Sequence, residues 1–174
     1  MNIRNFRSVA LMSCAAVMFG IGGAYAATTT VTASIKFLTD LTITQVNAPN
    51  FGNVKALTAA TYVLSTAGGV TGGTTEGGTP QAGNYTIAAS THDSLNIYAS
   101  GYTNGTTDAT VPSLATCAYN GGASQACDSL AHELAIASPV GSATLLVGLT
   151  ATTTATGADG STDNPSFTLN VVYQ

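Results

Sequence analysis

Ser90, His92 and Asp93 fall within four residues, and a serine, a histidine and a carboxylate are the groups that make a nucleophile, its base and the base's orienter. Such triads are built by geometry in space and not by adjacency, because neighbours along an extended chain reach in different directions. His92 and Asp93 therefore read as an exposed turn. His132 and Glu133 likewise read as a surface pair. There is no Gly-x-Ser-x-Gly elbow, no His-x-x-x-His pair and no glycine loop followed by a phosphate-binding lysine. No arginine follows Arg7, so nothing is present to clamp a carboxylate or phosphate. No catalytic residue is assigned, and the chain reads as a non-enzyme.

Of three cysteines, Cys117 and Cys127 are the pair that bounds a glycine-rich stretch, and a disulfide is expected between them. Zinc is the alternative, and it would need His92 and His132 as further ligands. Asp159, Asp163 and Asn164 share a loop but lack the Asp-x-Asp-x-Asp-Gly register of a calcium loop. No metal and no cofactor are expected. Residues 84–86 and 104–106 are formal glycosylation triplets, a chance product in a chain so rich in threonine. Tyr98 and Tyr102 are placed beside a turn, where they could stack on a sugar, though packing is the preferred role.

Residues 1–26 have the layout of a secretion signal: Arg4 and Arg7, an apolar run from 9 to 21, and Ala24-Tyr25-Ala26 as the cleavage site. The run is shorter than the about 20 residues needed to span a bilayer. A competing reading makes Cys14 a lipid-bearing cysteine. Cleavage after Ala26 leaves 27–174, the size of one domain. That part holds Lys36 and Lys55 against eight acidic residues, a formal charge of −6. Two cations leave no footprint for nucleic acid or an anionic membrane.

Short alternating segments between turn residues indicate an all-β sandwich or barrel. Val31, Ala33, Ile35, Phe37, Leu41 and Ile43 alternate with polar neighbours over a long first segment, with a bend near Thr39 and Asp40. Strands are expected at 61–65, 84–89, 95–99, 111–116 and 143–149, the second and third forming a hairpin across His92 and Asp93. Asn104-Gly105 signals a type I′ turn. Residues 130–137 fit either a strand or a short helix. At the C-terminus Phe167, Leu169, Val171 and Tyr173 share one face of a strand that runs to within one residue of the end.

Both end segments are suited to strand addition, in which a second chain completes an open sheet edge. Val31, Ala33, Ile35 and Phe37 would be donor-strand side chains. Phe167, Leu169, Val171 and Tyr173 would line the acceptor edge. The other possibility is that both segments pair inside one chain.

The ending Phe167, Val171, Tyr173, Gln174 resembles that of chaperone–usher fimbrial subunits, with their penultimate tyrosine. Residues 43–46, 50–54, 82–87, 147–149 and the Val-x-Tyr-Gln end are together similar to the exported family called domain of unknown function 4402. The resemblance implies an immunoglobulin-like β-sandwich, pilin-like, completed by a donor strand. It implies a fimbria or pilus subunit that polymerises with itself, exported through the periplasm with a chaperone and an outer-membrane usher as partners. Many fimbrial subunits join an early strand to its neighbour by a disulfide, whereas Cys117 and Cys127 lie close together past the midpoint. The alternative function is a secreted, self-contained sandwich that binds carbohydrate or a cell surface.

Overall fold

The computed structural model describes residues 32–106 and 110–174. The expected signal segment and Val31 lie outside them. The described strands are β1 (Thr42–Asn47), β2 (Ala60–Leu64), β3 (Val70–Thr71), β4 (Gly83–Ala88), β5 (Leu95–Thr103), β6 (Val111–Tyr119), β7 (Gln125–Ala126), β8 (Leu134–Ile136), β9 (Ser142–Thr153) and β10 (Ser166–Tyr173). They form two antiparallel sheets, one of seven strands and one of three. Residues Phe37–Gln174 make one compact unit. The fold is an all-β, immunoglobulin-like sandwich.

The long strand β9 organises the larger sheet. Leu145 and Val147 pair both with β4 and with β6, so those two strands lie on opposite edges of β9. Ala151 and Thr152 pair both with β2 and with β6, which puts β2 on the β4 edge. β4 and β2 thus follow each other along one side of β9, with Gly148 between their two ladders. A Cβ there would lie 2.6 Å from the Thr116 hydroxyl and would also strike the Leu64 carbonyl, so the position demands glycine. β1 extends the sheet beyond β4, β3 beyond β2, and β7 beyond β6. The smaller sheet runs β10-β5-β8.

The order β1-β4-β9-β6 is the A-B-E-D sheet of an immunoglobulin sandwich, and β5-β10 is its C-F pair. In the complete form a seventh strand, G, lies beside F. Among the described residues no strand pairs with the outer edge of β10. Side chains from the two inner faces fill the core, with Ile87, Leu145, Val147 and Cys117 on one side and Leu95, Ile97 and Ala99 on the other. All seven are buried because alternation sends every second residue of each strand inward.

Several expectations change. Residues 84–89 and 95–99 contain strands, but they do not form a hairpin: β4 and β5 belong to different sheets, and Ser90–Ser94 carries the chain across the sandwich. The same turn residues serve a hairpin and a crossover, so local sequence cannot separate the two. Asn104-Gly105 is not a type I′ turn; the Gly105 N–H donates to the Thr110 carbonyl (2.9 Å). The I′ turn is at Asn120-Gly121, where φ is 49° and 76° and the Gly122 N–H returns to the Tyr119 carbonyl. Residues 130–137 hold the short strand β8 and no helix.

The long first segment also contracts. Residues 32–41 carry no strand, and pairing begins at Thr42, opposite Ala88 at the end of β4. A strand exists only where another backbone completes its hydrogen bonds, and before Thr42 the partner has run out.

Candidate functional site

The two sides of the sandwich are finished differently. On one side Cys127 sews the sheets together. Its N–H donates to the Ala115 carbonyl of β6 (3.0 Å), and its carbonyl accepts from the Ala99 N–H of β5 (2.6 Å). Its sulfur is bonded to Cys117, with both cysteines fully buried, so the expected disulfide is present and zinc loses its two thiolates. Such a link forms and persists in an oxidising compartment of the kind exported proteins meet.

Tyr102 reinforces this side. A bulge sets both Gly101 and Tyr102 opposite Phe167, which turns the Tyr102 ring inward against Phe167, centroids 6.1 Å apart. Its hydroxyl donates to the Asp128 carbonyl and accepts from the Ala115 N–H, each at 3.2 Å. Burial, the foremost cause, and the nearby Asp128 charge push its pKa above 10.0, while the Ala115 bond opposes them. Tyr98 and Tyr102 do not flank a turn; both lie within β5.

The other side is bounded by β1 and β10, each the outermost strand of its sheet. On β10, Phe167, Leu169 and Tyr173 are half-buried and pack against the core, and Val171 is buried among it. Across the opening, Ile43 pairs with Ile87 and so shares its inward face. Ile87 is fully buried, yet Ile43 is 39% exposed. The pair differs because Ile87 has strands on both sides and Ile43 has one on one side only. Among the described residues this leaves an apolar row facing an uncovered strip beside two unpaired strand edges.

At one pole this side is joined. The Ser90 N–H donates to the Tyr173 hydroxyl (2.6 Å), and the Tyr173 O–H donates to the Thr39 carbonyl (2.9 Å). One phenol thereby ties the C-terminal strand, the β4–β5 crossover and the segment entering β1. This joint was not foreseen from sequence, because it depends on a main-chain carbonyl 134 residues away.

The remaining expected donor residues, Ala33, Ile35 and Phe37, are exposed and lie in no strand, with Ile35 at 77% and Phe37 at 88%. The Ser90–His92–Asp93 group does not form a relay: the Ser90 hydroxyl accepts from the His92 backbone N–H (3.3 Å), and the His92 ring lies 3.3 Å from the Thr91 hydroxyl. His132 meets Asp128 at 2.9 Å instead of pairing with Glu133. Asp163 accepts from the Thr110 N–H (2.9 Å), a structural bond that orders its loop. Among the described residues no three His, Cys, Asp or Glu side chains converge as metal ligands, and no helix is long and apolar enough to cross a membrane.

Compared with known proteins, the chain matches no family model, no curated protein and no solved structure.

Proposed function

We propose that the protein is a structural subunit of a bacterial surface fibre, a fimbria or pilus, assembled by donor-strand complementation. The observation that carries this reading is the outer edge of β10, which no strand of the described residues pairs with, at the position where an immunoglobulin sandwich has its seventh strand. The segment 27–37 of a second copy would be the missing strand. An antiparallel register that sets Val31, Ala33, Ile35 and Phe37 opposite Tyr173, Val171, Leu169 and Phe167 matches four apolar side chains to four. Alternation then turns Thr32, Ser34 and Lys36 to the outside.

The driving force is apolar burial, about 25 cal/mol per Å² covered, together with backbone pairing that satisfies the β10 edge. No charge or nucleophile takes part, which accords with a chain holding so few ionisable groups. A periplasmic chaperone would cover the same edge before assembly, and an outer-membrane usher would oversee the exchange. An uncovered apolar edge of this kind otherwise invites unspecific pairing.

The test is deletion of residues 27–37 from the mature chain. The shortened protein should stay folded and single at concentrations where the mature chain forms polymers, and it should take up a synthetic 27–37 peptide. A mature chain that stays single, or a deletion that unfolds the sandwich, overturns the fibre reading. Sugar binding by that single chain would establish the self-contained carbohydrate-binding alternative.

A further inference from the structure

β1 starts and β10 ends at the same pole of the sandwich, because Thr42 pairs with Ala88, Tyr173 pairs with Leu95, and only residues 89–94 separate those partners. A strand added antiparallel to β10 has its first residues at that pole. The chain's own N-terminal segment enters β1 there too, past Thr39 and Leu41. The place where a strand is received and the place where a strand is given therefore meet, and the side chain between them is Tyr173.

The geometry of Tyr173 is that of a joint. Its ring belongs to the inward row of β10, packed against the core and still half-exposed on the uncovered side. Its hydroxyl holds the Ser90 N–H and the Thr39 carbonyl together. A cavity of about 400 Å³ lies beside this joint, lined in part by Thr39, Asp40, Ser90, Thr91 and His92.

We propose that Tyr173 is a positioning residue that couples strand receipt to strand presentation. A strand seated along β10 covers the Tyr173 ring and fixes its angle. The hydroxyl then holds the Thr39 carbonyl in one place, and the root of the chain's own donor segment is oriented before it meets the next subunit. This rests on the strand-acceptor reading above. It adds that a filled subunit is a better donor than an empty one, which favours growth of existing chains over new starts.

The experiment uses the dilute mature protein and a synthetic peptide of residues 27–37. Amide hydrogen exchange is read at residues 39–43, and peptide affinity is measured separately. In the native protein saturating peptide should slow exchange at Leu41 and Thr42 at least about five-fold, the low end of ordinary coupling between sites. Tyr173→Phe keeps the ring and loses the hydroxyl. It should bind the peptide within about three-fold of the native affinity, yet show less than half of the slowing. Bound peptide with no slowing in the native protein overturns the coupling and leaves the acceptor reading standing, and so does a Tyr173→Phe variant that responds as the native protein does. A peptide that does not bind overturns the acceptor reading itself, and the coupling with it. Should Tyr173→Phe fail to fold, the native measurement alone decides.

Discussion

The side of the sandwich at Cys127 and the side between β1 and β10 are made from the same two sheets, and they differ in how they treat an edge. At Cys127 backbone bonds and the Tyr102 hydroxyl run from one sheet to the other, and the disulfide ties that junction to β6. Along β10 the apolar side chains point inward just as regularly, yet Phe167, Leu169 and Tyr173, and Ile43 across from them, keep part of their surface exposed. Alternation alone does not seal a sandwich. A strand needs neighbours on both edges before its inward face is fully dry. The difference shows how one fold can be tied together along one flank and left partly exposed along the other.

Four outcomes would break or sharpen that contrast. The largest effect is expected from Ile97→Ala, in the fully buried centre of β5, with a loss of about 2–5 kcal/mol in urea unfolding of the dilute protein. Replacing Cys117 and Cys127 together by serine should cost about 2–3 kcal/mol on the loop-closure argument for so short a loop. A loss under about 1 kcal/mol would mean that the backbone bonds at Ala99 and Ala115 hold this flank by themselves.

The third outcome is alkaline. Burial raises the phenol pKa of Tyr85 and Tyr102 above 10.0 in the folded state. A raised folded pKa means that the native state keeps protons the unfolded chain releases, so stability is complete below about pH 10 and falls as pH climbs through the folded values. Tyr85→Phe and Tyr102→Phe should each flatten that fall in a pH series of thermal melts. An unchanged slope would show that neither phenol is shielded.

The smallest effect belongs to the open flank. Ile43→Ala should cost about 1 kcal/mol or less in the single subunit, since much of that side chain already meets water. With the 27–37 peptide bound the same substitution should cost measurably more. Equal costs in both states would mean that nothing seats against Ile43.

Legibility followed the range of the forces involved. The inward set Tyr85, Ile87, Leu95, Ile97, Leu145 and Val147 could be read from alternation, because a period of two is a local property of an extended chain. The disulfide was readable from a cysteine pair bounding a glycine-rich turn. The β4–β5 crossover was not, since Ser90–Ser94 has the composition of a hairpin turn and only the two-layer arrangement decides which strand lies alongside. The extent of the first strand turns on a related matter: Ala33, Ile35 and Phe37 have a strand's pattern, and among the described residues no backbone pairs with them. The inward orientation of Tyr102 is not legible either, because a bulge at Gly101, which depends on pairing with β10, reverses the face it occupies.

By itself the amino-acid order determined that this is an all-β chain with inward rows, a short disulfide loop and little ionisable chemistry, because those follow from side-chain type and near-neighbour spacing. Tertiary structure alone decided which strands pair, which edge stays open, and that Tyr173 reaches both Ser90 and Thr39. Those outcomes depend on backbone groups far apart in the chain, which carry no side-chain signature and become partners only when the two sheets are stacked.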